Sequence, residues 1–146
     1  MYVERDILRS GVIARTFDKQ GILVVLGKNG KYSLPKGVIE NSESLSECAK
    51  RETYEETGVN VELKDKKFVW CDTVLFYTKN ISWDTKIDIK DSNEIHEAGI
   101  MSISELKKKD NLNAILSKVI KKLTEWNSRK CGDKQKGSYT SKWIKV

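Results

Sequence analysis

Histidine and proline each occur once in this 146-residue chain, as His96 and Pro35. A single histidine excludes a zinc site built on two imidazoles. Cysteine occurs three times, at Cys48, Cys71 and Cys131, far apart and with no CxxC pair. An odd and scattered set argues against a disulfide framework and for free thiols in a reducing compartment, so a cytoplasmic location is expected. No apolar run approaches the roughly 20 residues that cross a bilayer. Met1-Tyr2-Val3-Glu4-Arg5-Asp6 has no apolar core behind it, so neither a membrane span nor an export signal is expected. Internal repeats and low-complexity stretches are also missing. What remains, 38% hydrophobic and 33% charged residues, has the balance of a single globular domain with a core of its own.

The net charge of +6 is unevenly placed. Residues 127–146 hold Arg129, Lys130, Lys134, Lys136, Lys142 and Lys145 against Asp133 alone, which is +5 of the total. The expected organisation is therefore a domain over 1–126 and a basic tail over 127–146. Such a tail attracts RNA or another polyanion, or else only keeps the protein in solution.

Along the domain, Gly11-Val12-Ile13-Ala14 and Ile22 to Leu26 are short apolar runs joined by Asp18-Lys19-Gln20-Gly21, which predicts two strands and a tight turn. Lys28 to Lys31 is a second turn, and Tyr32-Ser33-Leu34 leads into Pro35. Ser44 to Thr57 reads as a helix. Val59 to Leu63 alternates as a strand does, and Phe68–Tyr77, Lys86–Ile89 and Ile95–Ile103 read as further strands. Ser104 is placed to cap a short helical turn. Leu112, Ile115, Leu116, Val119, Ile120, Leu123 and Trp126 form one apolar stripe of a last helix over about 111–126. Strands interrupted by two helices predict a mixed α/β domain.

The helix after Ser44 contradicts its own pattern. At about 100° per residue, Leu45, Cys48 and Ala49 share the face that should meet the core. That face continues into Glu52, Glu55 and Glu56. Carboxylates there repel one another and lose hydration. A hard cation removes the conflict, since Mg²⁺ and Mn²⁺ prefer oxygen ligands. The bland alternative is a helix end standing in solvent, its acids neutralised by Lys50 and Arg51.

The wider spacing decides between these readings. Gly37, Glu43, Arg51, Glu52, Glu55, Glu56 and Gly58 stand at the intervals of the Nudix signature, over residues 37–59. Seven identities at about 6% background each coincide by chance on the order of once in a million chains of this length or less. Thr53 departs from the bulky aliphatic residue usual at its position, and its methyl group still offers packing. The chain is thus identified as resembling the Nudix hydrolase family across roughly residues 8–126. Gly11 to Ala14, Leu34-Pro35-Lys36-Gly37 and Asn93-Glu94-Ile95-His96-Glu97 add to the likeness.

The resemblance implies an α/β/α sandwich around a central mixed sheet, with a loop–helix–loop catalytic motif. It implies metal binding by Glu52, Glu55, Glu56 and the Gly37 carbonyl, Mg²⁺ or Mn²⁺ being the expected cofactor. Arg51 is expected to orient the glutamates, and Glu43 to close the loop against the helix. Gly37 and Gly58 are expected to supply backbone shapes that a side chain obstructs. For the general base, Glu94 and Glu97 are the candidates, with Glu97 preferred on spacing. His96, between them, is expected to be incidental. Lys36, Arg15, Lys31 and Lys28 are the candidate phosphate contacts, Lys36 foremost because it adjoins Gly37. Tyr32, Phe76, Tyr77 and Trp83 are either base-stacking residues or core. Cys48 reads as packing.

These residues predict a metal-dependent pyrophosphohydrolase that cleaves a diphosphate linkage in a phosphorylated small molecule. The substrate classes are a dinucleoside polyphosphate, a diphosphoinositol polyphosphate or a nucleoside triphosphate. The alternative is an mRNA decapping hydrolase releasing m7GDP, with the basic tail as RNA tether. A third reading is a non-catalytic binding module of the same fold. Substrate identity, metal count and oligomeric state have no signal in the sequence.

Overall fold

The computed structural model describes residues 6–130 and 142–145. Their elements are β1 (Arg9–Ile13), β2 (Gly21–Gly27), β3 (Tyr32–Ser33), β4 (Lys36–Val38), α1 (Leu45–Thr57), β5 (Leu63–Trp70), β6 (Thr73–Thr78), β7 (Ile95–Ser102), α2 (Ile103–Leu106), α3 (Ala114–Lys130) and β8 (Lys142–Lys145). The strands form two four-stranded sheets, ordered β4-β1-β6-β5 and β3-β2-β7-β8. β1 and β6 run parallel, while β1–β4 and β5–β6 are antiparallel, so the first sheet is mixed.

Successive side chains of a strand point to opposite faces, and that alternation divides the interior into two cores. Ile13, Ile22, Val24, Leu75 and Met101 meet the α3 stripe of Ile115, Leu116, Val119, Ile120 and Leu123 on one side. Val12, Ala14, Leu23, Val25, Phe76 and Ile100 face the α1 side, with Ala49. The strands therefore lie between α1 and α3, which is the α/β/α arrangement. Leu112 is partly buried against the α3-side core; the side chain of Trp126 lies outside the described ones.

Local chemistry explains where α1 begins and ends. Ser44 Oγ accepts from the Glu47 amide at 3.1 Å, and Glu47 Oε1 accepts from the Ser44 amide at 2.8 Å, a reciprocal capping box. Gly58 closes the helix at φ 75°, and a Cβ there would lie 2.4 Å from the Asp88 carbonyl oxygen. Only glycine meets both demands.

Several expected elements differ. Val59–Leu63 is no strand before Leu63: Val59 and Val61 are buried and Asn60 and Glu62 exposed, yet residues 59–62 join no ladder. Alternation here reports an extended chain lying on the core, tied to its neighbour by the Lys79 amide donating to the Glu62 carbonyl at 2.9 Å and by no continuous ladder. Lys86–Ile89 likewise forms no strand, although Ile87 is buried. Phe68–Tyr77 is two strands, broken at Cys71 (φ 54°) and Asp72. The short helix is capped by Ser102, whose hydroxyl accepts from the Glu105 amide at 3.1 Å, and not by Ser104.

The largest correction concerns the basic tail. α3 continues past residue 126 to Lys130, and Lys142–Lys145 form β8, antiparallel to β7 with Glu97 opposite Lys145. Strand pairing of this kind is long-range and leaves little trace in four residues of sequence. Residues 131–141, and with them Cys131, Asp133, Lys134 and Lys136, lie outside the described residues, as do the side chains of Arg129, Lys130 and Lys142.

β1 and β4 meet closely at Gly11, opposite Lys36. A Cβ on Gly11 would lie 2.1 Å from the Pro35 carbonyl oxygen and 2.4 Å from Lys36 Cβ. Gly11→Ala is expected to push β4 away and destabilise the protein by about 1–3 kcal/mol. Urea unfolding measures this; an unchanged midpoint contradicts the close approach.

Candidate active site

Two elements set the site: β4, which carries Lys36 and Gly37, and α1, which carries the acids. Ser10 stands opposite Gly37 in the β1–β4 ladder, and Ser10 Oγ donates to the Leu45 carbonyl at 2.8 Å, tying β1 to the start of α1. The helix buries Cys48, Ala49, Thr53, Glu56 and Thr57. Thr53 and Thr57 satisfy their hydroxyls on the helix, donating to the Ala49 and Thr53 carbonyls at 2.7 Å each. The expected departure at Thr53 is thus absorbed by a bond inside the helix, leaving the methyl group in the core.

The glutamates occupy graded environments. Glu56 is 5% exposed, and its Oε1 accepts a hydrogen bond from the Lys36 amide at 3.3 Å. Burial first, and then the charge of Glu52, push the Glu56 carboxyl up to about 9. Glu52 is partly buried, and its carboxyl is also raised, first by burial. Its carboxylate lies over Gly37, where any Cβ would come within 2.0 Å of Glu52 Cδ. A side chain at Gly37 would therefore displace the Glu52 carboxylate from its place, whereas the φ of Gly37 is unexceptional. Glu55 stands further out, its side chain 42% exposed.

Arg51 binds this group together. Its Nε and Nη2 donate to the two oxygens of Glu43 at 2.5 and 3.0 Å, a bidentate pair. Nη1 reaches Glu52 Oε2 at 3.1 Å and Glu55 Oε1 at 3.2 Å. Nη2 also donates to the Val38 carbonyl at 3.1 Å, at the end of β4. The paired guanidinium holds the Glu43 carboxyl down to about 2. Cys48 is packed beneath, its thiol pushed up to about 11 chiefly by burial, and its Sγ lies 3.6 Å from the Gly37 carbonyl oxygen.

Among the described residues, no three acidic, cysteine or histidine side chains already converge as a metal cage. Glu52 and Glu55 instead share Nη1 of Arg51. The donor chemistry nevertheless fits a hard divalent cation: Glu52, Glu55 and Glu56 offer carboxylate oxygens, and the buried Glu56 has one long hydrogen bond and no ion pair among the described residues.

Beside these acids is a cleft of about 390 Å³, lined by Lys28, Lys31, Lys36, Glu56, Glu94 and Asn113 among others. Three of the four expected phosphate contacts thus meet at one place. Burial lowers the Lys36 ammonium pKa, a shift opposed by Glu56. Arg15 does not join them; it lines a separate cavity beyond the far end of β1. The strand's length carries it away from β4. Of the two base candidates, Glu94 lines the cleft and Glu97 does not. Glu97 instead accepts a hydrogen bond from the Trp143 indole of β8, a contact absent from local spacing. His96 is exposed.

Asn113 was not anticipated as a cleft residue. Its Oδ1 caps α3 through the Leu116 amide at 2.9 Å and its Nδ2 donates to Ser33 Oγ at 3.0 Å; its sequence signal is that of a helix cap. Tyr32 and Phe76 are buried in the core. Tyr77 packs at the edge of the same interior, and Trp83 donates to Asp18 Oδ2 at 3.0 Å.

A family model described as NUDIX domain matches residues 7–123. A curated relative, Nudix hydrolase 4 of Arabidopsis thaliana, is 48% identical over 50 residues, which are 34% of this chain and 24% of that protein. The match thus spans about a quarter of the relative's length. Among solved structures, a MutT protein from Methanosarcina mazei Go1 superposes with a TM-score of 0.66 at 20% identity, covering 86% of this chain and 99% of that one. A C. elegans Ap4A hydrolase gives 0.61 at 14% identity, over 84% and 98% of the two chains. The NUDIX domain of Shewanella oneidensis NrtR, solved with ADP ribose, gives 0.62 at 18% identity, over 85% and 90%. At these identities the structures establish likeness of fold.

The raised carboxyl of Glu56 has a consequence for stability without metal. The folded state keeps the proton to about pH 9, whereas a free glutamate loses it near 4.5. Between these values the unfolded chain binds fewer protons, so stability falls as pH rises. In EDTA, Glu56→Gln is expected to raise the melting temperature at pH 8 and to flatten the decline from pH 5 to 9. Thermal melts across pH check this; an unchanged pH slope contradicts the buried proton.

Proposed function

The chain belongs to the NUDIX domain family, and from that premise we propose that it is a metal-dependent hydrolase of phosphoanhydride bonds. The observation that carries the reading is a pair of acids at one end of a lysine-lined cleft: Glu52 lies over Gly37, and the buried Glu56 accepts from the Lys36 amide in a cleft that Lys28, Lys31 and Lys36 line. Glu52, Glu55, Glu56 and the Gly37 carbonyl would hold Mg²⁺ or Mn²⁺. Bound there, a divalent cation offsets diphosphate charge and lowers the pKa of attacking water.

The residues of the chain supply the rest. Lys28, Lys31 and Lys36 present ammonium groups to the phosphate oxygens and fix the diphosphate against the acids. Arg51 positions Glu52 and Glu55 and touches no substrate. Glu94, an acid of the cleft rim, is the proposed proton acceptor. Water attacks phosphorus, its proton passes to Glu94, and the P–O bond to the leaving phosphate breaks.

Nucleoside-linked diphosphates are the substrate class we favour. A cleft of about 390 Å³ has room for a nucleotide, and two structural relatives are an Ap4A hydrolase and an ADP-ribose complex. A panel of nucleoside triphosphates, dinucleoside polyphosphates, ADP-ribose, diphosphoinositols and capped RNA, scored with Mg²⁺ and Mn²⁺, tests it. Turnover of capped RNA alone would favour decapping instead.

Glu55→Gln is expected to lower kcat by about three orders of magnitude, roughly 4 kcal/mol of barrier, with an unchanged amide spectrum because Glu55 is partly exposed. Wild-type turnover in this variant contradicts the assignment.

A further inference from the structure

Arg15 is buried at 8% exposure and makes one hydrogen bond, from Nη2 to the Lys19 carbonyl at 2.6 Å. Its Nε is buried without a partner, and no carboxylate pairs with the guanidinium among the described residues. The nearby Asp18 is already engaged by the Thr16 hydroxyl, the Gln20 amide and the Trp83 indole. A buried guanidinium costs desolvation unless an anion faces it. Burial accordingly lowers the Arg15 pKa.

Arg15 lines a cavity of about 320 Å³ between the β5–β6 edge and α3. Lys19, Lys64, Lys66 and Lys122 stand around it, with Glu125 the one acid of the lining. Five cationic side chains against one carboxylate make a strongly positive concavity. Ile13, Leu123 and the Tyr77 ring form its apolar wall. This cavity shares no lining residue with the catalytic cleft. Ser10 lies opposite Gly37 and Ile13 opposite Tyr77, so these two points on β1 are about 10 Å apart at roughly 3.3 Å per residue.

We propose that this cavity is a second anion site, separate from the catalytic cleft, which takes a compact phosphorylated small molecule bearing two or more phosphoryl groups. Arg15 supplies the planar donor fork at the base, and Lys19, Lys64 and Lys122 the charge at the rim. A volume of about 320 Å³ suits a small ligand and has no room for a nucleic-acid duplex.

The test titrates the full chain, isotopically labelled and in EDTA, with inorganic tripolyphosphate at about 0.15 M salt. Amide shifts are expected at Arg15, Lys64, Lys66, Thr78 and Lys122, with a Kd below about 1 mM. The double variant Lys64→Glu/Lys122→Glu, whose exposed side chains leave the fold unstressed, is expected to weaken binding at least tenfold. Lys36→Ala is expected to leave it unchanged. Arg15→Lys, which keeps the charge but loses the fork, is expected to weaken it as well. The proposal is overturned by shifts centred on Lys28, Lys31 and Lys36, by full affinity in the double variant, or by no binding. It is also overturned if an RNA oligonucleotide binds these residues and tripolyphosphate does not.

Discussion

The Arg51 guanidinium joins the loop after β4, the acids of α1 and the end of β4 itself. It holds both oxygens of Glu43, shares Nη1 between Glu52 and Glu55, and donates to the Val38 carbonyl. Among the described residues, no other cation touches so many groups of the site. Its planar fork explains why lysine would not serve: a point charge cannot hold a carboxylate in two places and a backbone carbonyl in a third. The loop conformation, with Ser42 at φ 65°, is closed by the Glu43 amide donating to the Glu40 carbonyl at 3.1 Å. Glu43 thus anchors the guanidinium, which in turn holds Glu52 and Glu55.

Around that anchor the chain breaks rules that it keeps elsewhere. Among the described side chains of α3, the buried ones are Ile115, Leu116, Val119, Ile120 and Leu123, all apolar, as an amphipathic helix should have. α1 buries two threonines and a glutamate beside Cys48 and Ala49. The threonines bond to the helix, but Glu56 is left with a single long backbone contact and a carboxylate neighbour. Local inconsistency of this sort concentrates where a protein binds or reacts. The same logic applies to Arg15, whose burial without a carboxylate is the other unresolved charge of the interior.

Much of the architecture was legible because its signals are local. Ser44 and Glu47 mark the start of α1, Gly58 marks its end, and the stripe from Ile115 to Leu123 marks α3. The acids of α1 were legible as a site because their spacing contradicts the helical pattern. Other features depend on contacts across the fold. Val59–Glu62 alternates in burial yet joins no ladder, which alternation alone cannot distinguish from a strand. Glu94 and Glu97 differ by three residues, yet Glu94 lines the cleft while Glu97 meets Trp143, 46 positions away from it. Arg15 and Lys36 look alike as cations before the signature, but the length of β1 sends them to different cavities.

A divalent cation held by the α1 acids can be probed with paramagnetic Mn²⁺, without reference to substrate. Substoichiometric Mn²⁺ added to the labelled protein should broaden the amides of Lys36, Gly37, Glu52, Glu55 and Glu56, and Glu56→Gln should sharply reduce that broadening at equal Mn²⁺. Broadening centred on other acids, such as Asp88 and Asp91, or broadening that survives the substitution unchanged, would contradict the account.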